Sequence, residues 1–234
     1  MTERFPIRRF ENGEIAGLQD TLVTEAQVSI EVAGVELIQT TCSPGHMQEW
    51  VLGYLFSEGH IARPEDVAEI QESDGVFSVE LTDSAPVAPA PLASVASKLT
   101  LVPAHLLDAA RDVVARAEVF HRTGGTHAMA IVDERAAFAS AFAEDISRTC
   151  ALEKAIGLAL QQRADFGRCL AFLSSRVPSR MLAKLVRCGI PIVAAVSAPT
   201  VDAVRLAEGL SVCLCGFVRS ERMNVYTHGW RLGL

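Results

Sequence analysis

The chain has 234 residues, of which 50% are hydrophobic and 21% charged, so it carries enough apolar material for a packed core and is not a disordered protein. Its formal net charge of -7 argues against nucleic acid as the partner, although a local basic site for an anionic small molecule stays possible. The N-terminus lacks the apolar run of a signal peptide, and the longest apolar stretches are far short of a membrane span. We therefore expect no membrane association, a cytoplasmic location and reduced cysteines.

Residues 1–82 are expected to form a small α+β domain. The runs VSIEVAG and VELIQTT around Gly34 predict a β-hairpin, and VFSVEL at 76–81 predicts a further strand. Between them, Ser43 and Pro44 predict the cap and first turn of a helix that ends at Gly59. The apolar residues that recur at helical spacing on it are Trp50, Val51, Tyr54 and Leu55.

The composition changes at residues 83–99, where prolines, alanines and serines interrupt every periodicity and predict a linker or an exposed loop. Residues 100–234 then alternate between helical and apolar strand patterns, which predicts a layered α/β domain. The predicted helices are 103–119, 152–162, 178–188 and 199–206, and the predicted strands are 127–132, 136–142, 169–173, 190–196, 210–217 and 224–227.

Two polar motifs flank the first strand pair of this α/β region. RTGGTH at 122–127 combines glycines that allow close backbone approach with His127, a donor, acceptor or base. On this motif alone, a tight turn with a capped helix end is the favoured interpretation. EDISR at 144–148 precedes a helix expected to begin near Thr149, where Arg148 and free N–H groups would suit a phosphate. Asp145 could instead hold Arg148 in a structural ion pair.

Three further polar motifs follow predicted strands: SSR at 174–176, APT at 198–200 and GFVRSER at 216–222. Ligands of open α/β sheets bind at the carboxyl ends of the strands, and arginines beside an aromatic ring could grip a base and a phosphate. If the strands are parallel, these loops converge on one edge. Surface loops and ordinary helix caps are the alternative interpretation.

The six cysteines show no C-x-x-C spacing, which argues against a zinc site. Cys213 and Cys215 would share one face of a strand with Leu214 on the other, as two small buried hydrophobic residues. Cys150 differs because it would lie at a helix start beside Arg148, where the pKa of a thiol can be lowered. It is the one weak catalytic candidate, and a merely structural role is its alternative.

The ordered motifs resemble the FdhD family of formate dehydrogenase accessory proteins. The matching strings extend from about residue 20 to residue 230: SPGHMQEWVLGYLFSEGHI, RTGGTHAMAIV, EDISR, GIPIVAAVSAPT and CGFVRSERMNVYTH. The resemblance implies a cytidine-deaminase-like three-layer C-terminal α/β domain with a smaller α+β N-terminal domain, α+β overall, and a homodimer. The deaminase chemistry of that fold is not expected, because the H-x-E and P-C-x-x-C elements are missing.

The resemblance also implies a function. Family members are similar to sulfurtransferases that relay sulfur from a cysteine desulfurase to the molybdenum cofactor in its bis(molybdopterin guanine dinucleotide) form, for formate dehydrogenase or a related molybdoenzyme. By this resemblance the cofactor is a bound client, and no resident metal is expected. The residues that match cofactor-contacting or polar positions of the family are Phe217, Val218, Arg219, Ser220, Glu221, Arg222, His127, Arg148 and Arg176.

The sequence departs from the family pattern where transfer would occur. The family carries a C-G-x-C-G element between its two parts, but this chain reads APVAPAPLASVASK there, without a cysteine. Ser147, Thr149, Cys150 and Ser175 also replace the family's glycine, histidine, asparagine and glycine. Two hypotheses follow: a sulfurtransferase that uses an atypical cysteine, or a catalytically silent protein that binds the cofactor or serves as a scaffold.

Overall fold

The computed structural model describes residues 1–135 and 141–234. Within these ranges the strands form three sheets, of two, four and six strands. The elements of the first part, in chain order, are β1 (Thr2–Glu11), β2 (Glu14–Val23), β3 (Ala26–Val32), β4 (Val35–Cys42), α1 (Met47–Glu58), β5 (Val67–Ser73) and β6 (Val76–Leu81).

The four-stranded sheet of the first part has the order β4-β3-β6-β5. Its β3–β4 pair confirms the predicted hairpin around Gly34, and β6 matches the predicted strand at 76–81. The two-stranded sheet β1–β2 was not predicted from the sequence. Most of its side chains are exposed, including Phe5 and Phe10, so the strands lack the alternation between buried apolar and exposed polar residues that identifies a half-buried strand.

The predicted start of α1 at Ser43 and Pro44 is wrong. The helix begins at Met47, and the preceding His46 adopts a left-handed conformation with φ 52° and caps nothing with its side chain. Ser43 has another role: its N–H donates to the Asp145 carboxylate, and its hydroxyl accepts from the Ile146 N–H. The predicted end is confirmed, since Gly59 follows the helix with φ 85°.

The second part contains the α/β elements. They are α2 (Pro103–Arg116), α3 (Glu118–Thr123), β7 (His127–Asp133), β8 (Ala141–Asp145), α4 (Arg148–Gln161), β9 (Cys169–Leu173), α5 (Ser179–Arg187), β10 (Ile192–Ala195), α6 (Val201–Gly209), β11 (Cys213–Gly216) and β12 (Asn224–Thr227). None of the helices in the described ranges is both long and apolar enough to cross a membrane.

Several predicted boundaries need correction. The predicted helix 103–119 is two helices, because Ala117 leaves the helical conformation with ψ 62°. Helix α4 starts at Arg148, one residue before the start expected near Thr149 and four before the helical pattern at 152, since Ser147 caps it by accepting from the Cys150 N–H. The predicted helix 199–206 begins instead at Val201, capped by the Thr200 hydroxyl. Five residues of the predicted strand 136–142 lie outside the described residues.

The six-stranded sheet has the order β12-β11-β10-β9-β7-β8, with β9, β10 and β11 parallel to one another. Helices α4, α5 and α6 cover one face and α2 covers the other. Leu214 points to the first face and Cys213 and Cys215 to the second, as predicted. This three-layer arrangement, beside a smaller part built on the four-stranded sheet, confirms the predicted α/β class, α+β overall.

The two parts meet where α1 crosses α4. A Cβ added to Gly53 of α1 would overlap with the Glu153 carbonyl oxygen, and one added to Gly157 of α4 would overlap with that of Glu49. The two glycines therefore allow the helix backbones to touch. The predicted domain limits at residues 82 and 99 stay a prediction.

The segment 83–99 has no helix or strand, as predicted, but it is not loose. The Val95 N–H donates to the Leu210 carbonyl (2.9 Å), and the Ala90 carbonyl accepts from the Arg187 guanidinium (2.5 Å). The Val95 and Leu99 side chains are buried. The expectation of an exposed loop is thus wrong for these two residues, and we refer to residues 83–99 as the strap.

Candidate ligand site at one edge of the large sheet

The predicted polar loops converge at one edge of the six-stranded sheet. Strands β9, β10 and β11 are parallel and end there, while β7 is antiparallel and begins there with His127. The convergence of the loops therefore follows from the order and direction of the strands, and backbone hydrogen bonds between the loops hold them together. These bonds run from the N–H of Ser174 to the carbonyl of Ala128 (3.0 Å), from Val177 to Ala198 (3.2 Å) and from Phe217 to Ser197 (3.3 Å).

A cavity of about 380 Å³ opens at this edge. Its walls come from α2, α3, the start of β7 and the ends of β9 and β10, and most of them are apolar. We name it the edge cavity, and it is lined by Val113, Val114, Ala117, Phe120, Gly124, Gly125, Thr126, His127, Ala128, Phe172, Ser174 and Val196.

His127 is the titratable group of the edge cavity. It is half-buried, and its Nδ1 lies 3.4 Å from the Ser174 hydroxyl oxygen. Burial, and to a smaller extent the charge of Arg148, lowers the pKa of this imidazole. The ring is therefore neutral at pH 7, with one nitrogen able to donate and the other able to accept.

The arginine-rich loop after β11 lies beside the edge cavity. The guanidinium of Arg219 donates to the carbonyls of Val196 (2.6 Å) and Val218 (2.8 Å), so it is held at the rim. Arg111 of α2 donates to the Ser220 carbonyl (2.8 Å) and ties the loop to the helix layer. Phe217, at φ 52°, is exposed next to them.

The other predicted residues of this loop differ in their placement. Val218 is buried, and its N–H donates to the Ala195 carbonyl (3.0 Å), which makes it an anchor of the loop in the core. Glu221 and Arg222 are exposed, and the Arg222 carbonyl accepts from the Arg219 N–H (2.8 Å) to close a turn. The side chains available to a ligand are thus those of the exposed residues.

Arg148 and Arg176 are both exposed at the same edge. The alternative in which Asp145 pairs with Arg148 is wrong, because the buried Asp145 carboxylate pairs with Lys154 (2.6 Å). Arg148 is therefore the first residue of α4 without that partner, and its charge reaches His127. Ser175 is buried, with its hydroxyl donating to the Arg176 carbonyl (2.9 Å), so it fixes the loop.

Glu144 organises the wall of the edge cavity. Its carboxylate accepts from the backbone N–H of Val119 (3.0 Å) and of Phe120 (2.8 Å), and from the Thr126 hydroxyl (2.9 Å). One side chain thereby holds both α3 and the glycine-rich turn. The sequence singled out the EDISR motif, but it gave no signal that Glu144 bonds the residues around Gly124.

The expectation that the pKa of Cys150 is lowered is wrong. Its hydrogen bond with Cys42, together with burial, raises the pKa of the Cys150 thiol. The same hydrogen bond lowers the pKa of Cys42, but both side chains are buried among apolar residues. Cys150 thus lies at a helix start as predicted, yet its sulfur faces the core between the two parts and not the edge cavity.

Sequence reasoning also missed the apolar wall of the edge cavity. Phe120 was inside no motif, and Val113 and Val114 were read only as part of a helix. The available signal was a short apolar run, Val119-Phe120, one residue before RTGGTH, in a segment that a glycine pair brings back towards β7. That run alone does not distinguish a ligand-facing residue from a core residue.

Fold and site together define a three-layer α/β protein with a cavity and converging polar loops at the carboxyl ends of its parallel strands. The sequence model of the FdhD/NarQ family matches residues 23–91 and 82–233, and the chain belongs to this family. The two matched stretches overlap at residues 82–91, at the start of the strap, where this chain has no cysteine.

Individual relatives agree with this assignment. The chain is 31% identical to the sulfur carrier protein FdhD of Staphylococcus haemolyticus, over 97% of this chain and 95% of that protein. It is 29% identical to the protein of the same name from Staphylococcus aureus, with the same coverage. A crystal structure described as a formate dehydrogenase accessory protein, from Desulfotalea psychrophila, superposes with a TM-score of 0.83 at 21% identity, covering 99% of this chain and 98% of that one.

Proposed function

We propose that this protein is an accessory factor for formate dehydrogenase or a related molybdoenzyme. In this role it binds the bis(molybdopterin guanine dinucleotide) form of the molybdenum cofactor as a client. Family membership supports the accessory role, and so do the relatives, which are a sulfur carrier protein and a formate dehydrogenase accessory protein. A cytoplasmic location, a homodimer and a cysteine desulfurase partner belong to the same proposal.

The cofactor would bind at the sheet edge. Arg219, Arg222, Arg176 and Arg148 supply positive charge there, and guanidinium groups suit the phosphates of a dinucleotide. His127 is neutral and can bond to an uncharged polar group.

The protein would hold the cofactor without carrying sulfur itself. One observation supports this part of the proposal: all six cysteines are buried, and the strap that replaces the family's C-G-x-C-G element has none. A persulfide forms on an accessible thiolate, and burial raises the pKa of Cys169 and of Cys188 to about 12. The alternative, a sulfurtransferase with Cys150 as the carrier, needs the core around Cys150 to open.

Calorimetric titration with GDP, which stands in for the nucleotide half of the cofactor, tests the binding role. We expect saturable binding that weakens about tenfold or more in Arg219→Ala, because a charge-assisted contact to phosphate is lost. Arg205→Ala is the matched control, since Arg205 is an exposed arginine of α6 that pairs with Asp202. Absence of GDP binding, or equal affinity in Arg219→Ala, would contradict the proposed cofactor site.

Labelled sulfur separates the two hypotheses on transfer. Incubation with a cysteine desulfurase and ³⁵S-cysteine is expected to leave the chain unlabelled. If the wild type carries label and Cys150→Ala does not, Cys150 is the carrier and the silent-binder proposal is wrong.

A further inference from the structure

We propose that the end of the strap docks an extended, acidic segment of a partner protein by pairing backbone with backbone. The docking surface lies at the end of the large sheet opposite to the edge cavity, so the inference goes beyond the proposed function. It is carried by an extended stretch of chain, a row of unpaired backbone groups, a cavity beside that row and the charges that line the cavity.

The strap ends in an extended conformation. Residues 89–102 contain no turn, bend or helix, and between Val95 and Leu101 buried or half-buried residues alternate with exposed ones. A period of two is the pattern of a β-strand that lies with one face on a core. We name residues 95–101 the strap edge.

The buried residue Arg231 holds the strap edge from one side. Its guanidinium donates to the carbonyls of Ser97 (2.8 Å) and Leu99 (3.1 Å), and its carbonyl accepts from the Leu101 N–H (2.8 Å). The Val95 N–H donates to a carbonyl of the segment before β11 (2.9 Å). These bonds fix the extended conformation before any partner arrives, so docking loses little conformational entropy.

The residues between those four leave a free row of backbone groups. Within the described ranges, no protein group bonds the backbone N–H or carbonyl of Ala96, Lys98 or Thr100, and all three residues are exposed. Successive residues of an extended chain direct their backbone groups to opposite sides, so these groups share the side away from Arg231. Such a row is a template for one further strand.

A cavity of about 780 Å³ runs along the strap edge. The strap forms one wall, and the loops after β7, before β9 and before β10 contribute Glu134, Arg168 and Gly189 to the others. Strands β9 and β10 begin here and end at the edge cavity, which places the two cavities at opposite ends of the sheet. The free backbone row is therefore accessible to another chain.

The charges that line this cavity favour an acidic occupant. Arg168 pairs with Glu134, and the Asp165 carboxylate accepts from a backbone N–H (3.1 Å). Lys98 and Arg187 line the cavity without a carboxylate partner among the described residues, since Arg187 donates to a carbonyl. Glutamate or aspartate side chains of the occupant would compensate these two cations, whereas lysine side chains would be repelled.

Fluorescence anisotropy of a labelled synthetic peptide, titrated with the full chain, tests the proposal. The probe is an N-acetylated and C-amidated peptide of about nine residues that alternates valine with glutamate. We expect saturable binding to the wild type. A second peptide with lysine in place of glutamate should bind at least about tenfold more weakly, because its charges oppose those of the cavity.

Three variants of the strap edge separate backbone from charge. Ala96→Pro removes one N–H of the free row and leaves the bonds to Arg231 in place, so it should weaken the glutamate peptide about tenfold. Ala96→Ser, which keeps the N–H, is the matched control and should bind like the wild type. Lys98→Glu should reverse the preference between the two peptides. Thermal melting verifies that each variant is folded.

Residue-resolved amide hydrogen exchange gives a second readout, which side-chain contacts alone would not change. With the glutamate peptide bound, the N–H groups of Ala96, Lys98 and Thr100 should exchange more slowly. Ala93, an exposed strap residue outside the strap edge, should exchange at the same rate with and without the peptide.

Four results would overturn the proposal. Equal affinity of Ala96→Pro and the wild type, or amides that gain no protection, would show that the backbone row is not used. Equal affinity for the two peptides would exclude an acidic occupant. If neither peptide binds and sedimentation velocity shows a dimer that Ala96→Pro dissociates, the occupant is a second copy of this chain. If neither peptide binds and Ala96→Pro leaves the oligomeric state unchanged, the row is an edge that only water covers.

Discussion

At the scale of single residues, Lys184 is a buried lysine whose charge depends on anionic partners. It is buried, and its ammonium group pairs with Glu58 (2.6 Å) and with Glu153 (2.9 Å), which also accepts from the Trp50 indole (2.8 Å). Lys184→Met would leave both carboxylates without their buried cation and should cost about 3–5 kcal/mol in urea unfolding. Arg180→Met, at an exposed arginine 3.7 Å from Glu58, should cost under about 1 kcal/mol. Equal losses in the two variants would contradict this assignment.

His127 makes a second prediction at the residue scale. Its pKa in the folded protein lies below its ordinary value of 6.5, so the unfolded chain binds more protons as the pH falls past that value. The neutral ring therefore contributes stability above about pH 6.5, and this contribution is lost as the pH falls through the folded pKa. Urea unfolding at pH 7.5 and pH 5.0 should show a larger loss for the wild type than for His127→Gln. His60, whose pKa is also lowered by burial, is present in both proteins, so its contribution to the pH dependence cancels in the comparison. Parallel losses in the two proteins would count against a neutral His127.

At the scale of elements, the crossing of α1 and α4 depends on two glycines. Gly53→Ala places a Cβ against the Glu153 carbonyl, and only a shift of a whole helix can relieve the overlap. We expect a loss of about 1–3 kcal/mol or more in unfolding free energy. Gly209→Ala, at the end of α6 with no neighbour within 4 Å of the new methyl group, should be neutral or slightly stabilising. A stable Gly53→Ala protein would show that the helices are less tightly packed than described.

Elements with a strong local pattern were the ones that sequence could predict. The strands β9 and β12 match their predicted limits, because each is a short run bounded by turn residues. The β1–β2 hairpin was missed since its two faces are both largely exposed and carry no periodic signal. The start of α1 was misplaced because Ser43, a good cap by type, bonds to Asp145 instead, 102 positions away in the chain. A contact between residues so far apart in the chain cannot be predicted from the local sequence pattern.

The same limit applies to the site. Convergence of the loops was predictable, because parallel strands deliver their carboxyl ends to one edge. The hydrogen-bond and ion-pair partners of Asp145 and Glu144 were not predictable, since they depend on which groups the folded chain brings within about 3 Å. Cys150 illustrates the difference. Its position beside Arg148 at a helix start was predicted. The orientation of its sulfur towards Cys42 depends on tertiary contacts, and it raises the pKa of the thiol where a lowered pKa was expected.

At the scale of the whole molecule, all six cysteines are buried. In the native protein, no thiol should therefore react with a reagent such as DTNB within minutes. In the unfolded chain, all six thiols should react. Ser94→Cys, at an exposed position of the strap, should add one fast-reacting thiol and is the positive control. One fast thiol in the wild type would identify an accessible cysteine, and mass spectrometry of the labelled peptide would name it.

The strap leads to a prediction about the activation of formate dehydrogenase. Arg187, Leu210 and Ser211 bond the strap at Ala90, Val95 and Ser94, respectively. We therefore expect this part of the strap to stay on the surface and not to swing as a carrier arm. In a strain without its own FdhD-type factor, this chain should fail to restore formate dehydrogenase activity, although it still binds GDP. Replacing residues 90–94 by a C-G-x-C-G sequence supplies thiols and removes the Ser94–Ser211 bond, but it keeps the backbone carbonyl at position 90 that accepts from Arg187 and the bond from Val95 to Leu210. Partial rescue at most is therefore expected. Combining that replacement with Arg187→Ala removes one tie and should increase the rescue. Full activity from the unmodified chain would mean that sulfur transfer does not need a cysteine in the strap.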